Sequence, residues 1–151
     1  MTKSLSLKTF VGACTVAMLC FGQSVGAATI YSDDLGGFYE PSLVHYVASM
    51  GSFPTVVIAN PFGAETNDAL LANMSLPADY PSVPLKATTT KARDDGHLVL
   101  VFNPMPTSNG DTACAAPASQ SASGTAGGGD VLRLLAAFCY DDEMASEAIM
   151  E

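Results

Sequence analysis

Phe53-Pro54-Thr55-Val56-Val57-Ile58-Ala59-Asn60-Pro61 and His97-Leu98-Val99-Leu100-Val101-Phe102-Asn103-Pro104 are the two stretches that decide the fold. Each is a near-continuous run of β-branched and aliphatic residues, the pattern of a strand covered on both faces. Each is stopped by Asn-Pro, because proline has no N–H for the ladder and is excluded from strand interiors. Between them, residues 64–74 are rich in Ala and Leu, with Ala64, Asn67, Leu71 and Met74 at one helical spacing and Leu70 beside them. That pattern predicts a helix. A strand, a helix and a strand give a parallel pair joined by a right-handed crossover.

Working outward, three prolines within residues 76–84 exclude regular structure, and the Thr-rich segment 85–91 predicts a short edge strand. Arg93-Asp94-Asp95-Gly96 reads as a turn. Upstream, residues 28–40 read as extended, and Gly51-Ser52 is a turn signal. Residues 43–50 serve a helix about as well as a strand, with their β-branched and aromatic content favouring a strand. Downstream, residues 105–130 are dominated by Ser, Ala, Gly and Thr. Such a tract buries little apolar area and is expected to be a flexible loop. Residues 131–140 match helical and strand periodicity equally well, and residues 143–150 have a helix-forming composition.

The first 27 residues carry a different signal. Lys3 and Lys8 precede an uncharged apolar run over 9–21, and a small-residue tail ends Val25-Gly26-Ala27. A charged start, an apolar run of roughly 7–15 residues and an A-x-A-like site mark a secretory signal peptide, with cleavage expected after Ala27. The run is too short to span a bilayer, which needs roughly 20 residues. Removal leaves 124 residues with four basic and 15 acidic side chains, a net charge of −11. The expected location is periplasmic or secreted, with no stable membrane insertion. The acidic balance argues against nucleic acid as a partner, since phosphate binding needs clustered Lys and Arg.

Cys14 and Cys20 leave with the leader, and Cys114 and Cys139 remain. Two cysteines in an oxidising compartment more often pair than stay free. The spacing suits neither a C-x-x-C redox pair nor a zinc site built from close-spaced ligand pairs. A structural disulfide between Cys114 and Cys139 is therefore expected.

Several short landmarks occur together: Asn60-Pro61-Phe62, Phe102-Asn103-Pro104 and Ala137-Phe138-Cys139, with Thr88-Thr89-Thr90 between the first two. In these the chain resembles a family of small uncharacterised exported bacterial proteins carrying NPF, FNP and AFC segments. The resemblance implies a strand over 132–140 closed by a charged turn, and it implies no activity, ligand or catalytic residue. Asp141-Asp142-Glu143 stand at that turn, where the resemblance leads one to expect a basic residue.

The resulting expectation is a single small α+β domain over 28–151. Its sheet has three to five strands, with one packed helix, a short C-terminal helix and one disulfide. If the two Asn-Pro strands are neighbours, Asn60 and Asn103 emerge at one sheet edge, where open α/β sheets bind ligands. Phe62 would then wall a polar pocket floored by the two asparagines. The plainer account is that Asn-Pro simply terminates strands.

No G-x-S-x-G, G-x-x-x-x-G-K or G-x-G-x-x-G segment is present. His45 and His97 are too few for a zinc or copper set without acids recruited by the fold. The acid pairs lack the spacing of a calcium loop and read as solvated turns. No metal, cofactor or catalytic residue is expected. The favoured function is a non-enzymatic accessory or binding module whose partner is an envelope protein or a small molecule. The alternative is a metal-binding protein or enzyme whose site assembles from dispersed Asp, His97 and Asn103.

Overall fold

The computed structural model describes residues 29–62, 66–89, 96–115 and 131–151. The expected leader over 1–27 and the Arg93–Asp95 part of the expected turn lie outside them. Six strands form one mixed sheet in the order β1-β6-β5-β4-β2-β3, one strand beyond the expected maximum. In chain order the elements are β1 (Ile30–Leu35), α1 (Pro41–Ala48), β2 (Phe53–Ile58), α2 (Asn67–Leu71), β3 (Leu85–Ala87), β4 (His97–Phe102), α3 (Gly110–Ala115), β5 (Leu134–Tyr140) and β6 (Glu143–Met150). The fold is α+β, with a parallel half and an antiparallel half meeting at β4.

The two deciding stretches form β2 and β4, which pair in parallel from Thr55↔Leu98 to Ile58↔Val101. Their continuous apolar character has a simple cause, since both faces are covered. Phe53, Leu100 and Phe102 join Phe138 and the buried face of α1 (Val44, Val47, Ala48) in one core. Val56, Val99 and Val101 join Leu135, Ala137 and the two cysteines in the other. Helices α1 and α2 therefore lie on one face and α3 on the opposite one. β3 pairs with β2 as a short parallel edge strand, as its Thr-rich segment suggested.

Residues 43–48 lie in helix α1 and 49–50 in the turn that follows, not in a strand. Pro41 sits at the start of α1, where its missing N–H costs nothing. Gly51, at φ 86°, closes the other end with its N–H on the Ala48 carbonyl at 3.0 Å. The Val44, Val47, Ala48 spacing then puts one stripe into the core. These two terminal signals outweigh the β-branched content.

The C-terminal segment 143–150 is a strand, not the expected helix. Asp141 and Asp142 both have positive φ (52° and 65°). They make the two-residue loop of a tight hairpin between Tyr140 and Glu143. β6 is hydrogen-bonded to β5 on one side and to β1 on the other. Two ladders override the helix preference of Glu, Met and Ala, as tertiary context routinely does. The chain thus has three helices among the described residues, against the one packed and one C-terminal helix expected.

The expected helix over 64–74 is confined to α2, whose N-cap Thr66 accepts a hydrogen bond from the Ala69 N–H at 3.2 Å. Residues 63–65 lie outside the described residues. Within the 105–130 tract, Gly110–Ala115 is helix α3 and not loop, while 116–130 lie outside the described residues. Asn109 and Thr112 exchange hydrogen bonds across its first turn (2.9 and 3.0 Å). The Glu147 carboxylate of β6 accepts from the Gly110 N–H. The Cys114–Cys139 disulfide then staples α3 to β5, with both residues fully buried. No helix among the described residues is long and apolar enough to cross a membrane.

Candidate functional site

A row of side chains crosses the antiparallel half of the sheet. Leu98 on β4 pairs with Phe138 on β5, and Phe138 pairs with Ser146 on β6. In-register neighbours of paired strands share a face, so the three form a continuous floor. Phe53, at the start of β2, extends it, with its ring 5.8 Å from that of Phe138 and tilted by 52°. Val44 of α1 closes one side.

The roof comes from two connections. Tyr39 lies in the turn between β1 and α1, its N–H bonded to the Gly36 carbonyl at 3.0 Å. Leu76, Pro77 and Tyr80 belong to the proline-rich segment after α2, where the Tyr80 N–H meets the Pro77 carbonyl at 3.0 Å. The irregularity imposed by the prolines is what lets this segment fold over the sheet instead of along it. Together these groups line a half-open cavity of about 250 Å³.

The mouth carries the site's polar chemistry. The hydroxyls of Tyr39 and Tyr80 are 2.5 Å apart and share one hydrogen bond. Hydrogen bonding to Tyr80, with burial adding to it, raises the Tyr39 phenol to about 12 from its usual value near 10. Tyr39 is therefore a neutral phenol at any physiological pH. The ring of His45, on the exposed side of α1, lies 5.6 Å from that of Tyr80. None of the nine lining residues carries a charge, and Ser146 is the one polar group besides the phenols. Such a cavity holds a ligand by apolar burial, with hydrogen bonds available at one end.

The residues expected from sequence lie elsewhere. Asn60 and Asn103 each stand two positions beyond the last registered β2·β4 pair, at the same sheet edge. Both act on the chain itself. The Asn60 side chain donates to Asn67 Oδ1 (3.1 Å) and accepts from the Phe62 N–H (3.0 Å). The Asn103 side chain accepts from the Arg133 N–H (3.3 Å), while its own N–H meets the Arg133 carbonyl (2.8 Å). Phe62 is half exposed and meets Phe102 edge-on at 6.2 Å between centroids. The cavity is toward the opposite, amino end of the parallel strands, at Phe53 and Leu98.

His97 opens β4 on the disulfide face and is fully buried, opposite Cys139. Asn103 lies six residues further along, about 20 Å at the rise of an extended strand. The structure does not bring His97 and Asn103 together. Asp33 and Asp34 are exposed on β1, and Asp141, Asp142 and Glu143 occupy the β5–β6 hairpin. Among the described residues no group of three or more His, Cys, Asp or Glu is placed to hold a metal ion.

The cavity escaped the sequence reading because its lining comes from separate segments with no shared motif. The one available signal was the placement of Leu76 and Tyr80 around prolines, which marks apolar groups outside any regular element. Comparison with protein-family models, with curated proteins and with solved structures finds no match to this chain.

Proposed function

We propose that this protein is a non-enzymatic, exported binding module that takes a small apolar molecule into the cavity between α1, the proline-rich connection and the sheet. The observation that carries this reading is the cavity itself, which has about 250 Å³ of space with an uncharged lining. An apolar cavity of about 150 Å³ is enough to bind benzene, so this one suits a substituted single ring or a short acyl chain. The export signal read in residues 1–27 and the likeness to a family of exported proteins stand alongside it. The buried disulfide fits a periplasmic or secreted location.

Isothermal titration with ethylbenzene tests the reading. At about 0.5–1 kcal/mol for each of its eight heavy atoms, ethylbenzene should bind with Kd between about 1 μM and 1 mM. Val44→Phe fills the cavity from α1 and should weaken binding at least tenfold while thermal unfolding stays cooperative. Absence of binding to the unmodified protein, or equal binding by the folded V44F variant, would overturn the proposal.

A further inference from the structure

Resting on that binding reading, we propose that the ligand is an uncharged molecule of about eight to ten heavy atoms whose single hydrogen-bond-accepting oxygen is held by the Tyr39–Tyr80 pair. The hydrogen count of the pair is the first reason. Two phenols that share one hydrogen bond use one of their two protons in it. The phenol that accepts retains its own O–H, and both residues line the cavity. A carbonyl, ether or hydroxyl oxygen on the ligand gives that proton an acceptor when the mouth is desolvated.

Charge gives the second reason. Burying a carboxylate needs a cationic partner, and burying an ammonium needs an anionic one. The cavity lining supplies neither. The net charge of the chain, −9, adds repulsion against an anion approaching from solution. The interior instead offers Phe53, Phe138, Leu98 and Val44, which favour a flat or compact hydrocarbon body. An oxygen-bearing neutral molecule with one ring satisfies both ends of the site.

Four probes of nearly equal size separate the terms on the full chain: ethylbenzene, acetophenone, benzoate and benzylammonium, titrated calorimetrically at neutral pH. Acetophenone should bind about fivefold tighter than ethylbenzene, the ratio expected for one neutral hydrogen bond. Benzoate and benzylammonium should each bind at least tenfold more weakly than ethylbenzene. The double variant Tyr39→Phe/Tyr80→Phe, checked for cooperative melting, removes both hydroxyls. It should bring acetophenone down to the level at which the same variant binds ethylbenzene.

Equal binding of acetophenone and ethylbenzene overturns this inference alone and leaves the cavity as a ligand site. So does an acetophenone preference that survives in the double variant, or a charged probe that binds best. Failure of every probe to bind overturns the binding reading and this inference together. The wild-type probe series decides the matter even where a variant does not fold.

Discussion

Removing the Cys114–Cys139 bridge should cost this domain much of its stability. The two residues are 25 apart in sequence, and closing a loop of that length removes about 3.5 kcal/mol of unfolded-chain entropy. A small domain has only about 5–15 kcal/mol in total. The bond also has a packing role, since both sulfurs are buried beneath α3 among Val56, Val99, Val101 and Leu135. Cys114→Ala/Cys139→Ala, followed by urea titration of far-UV circular dichroism, gives the measurement. With a urea slope of about 1.5 kcal/mol per molar, the midpoint should fall by about 2 M. Reduced wild-type protein separates the two contributions, because it keeps both sulfurs and loses only the covalent link. It should unfold near the double variant. A double variant within about 1 kcal/mol of the oxidised protein would refute the reasoning, showing that α3 holds to the sheet without its staple.

Three further outcomes are expected. Gly96→Ala places a Cβ 2.9 Å from both the Phe138 ring and a Val47 methyl, so overpacking should destabilise by about 1–3 kcal/mol in thermal unfolding; it should also weaken ethylbenzene binding as Phe138 shifts in the cavity floor. Ala59→Gly relieves a left-handed backbone (φ 56°) at a modest entropic cost, and should raise stability by about 0.5–1 kcal/mol by urea denaturation. Tyr39 should titrate near pH 12 in phenolate absorbance, and Tyr80→Phe should return it toward 10. The folded protein holds this proton more tightly than the unfolded chain. The pair's stabilisation is therefore whole below pH 10 and fades as pH climbs to 12.

Where one local signal dominated, the sequence was readable. β2 and β4 are legible because strands buried on both faces leave no polar alternation, and their parallel pairing followed from the helix between them. The disulfide was legible because the expected leader implies an oxidising setting, where two thiols have few other fates. The strand expected over residues 43–50 is instead helix α1 with its closing turn, because Val44, Val47 and Tyr46 suit either structure and Pro41 and Gly51 at its ends decide it. Residues 143–150 were misjudged for the opposite reason. Their composition favours a helix, and only the ladders to β5 and β1 reverse it. α3 sits in a tract of small residues whose order comes from bonds to distant groups, Glu147 and Cys139. The cavity was illegible because convergence is a property of the folded chain. Tyr39, Tyr80 and Ser146 share no motif and meet only after the sheet has formed.

Ile30 pairs with Met150 across the β1·β6 ladder, and β1 touches the rest of the sheet through β6 alone. The strand that emerges early must therefore wait for one that emerges some hundred residues later. On the proposed export route, this ladder closes only after nearly all of the chain has passed the membrane. Closing so long a loop is slow, because its entropic cost precedes the hydrogen bonds of the ladder.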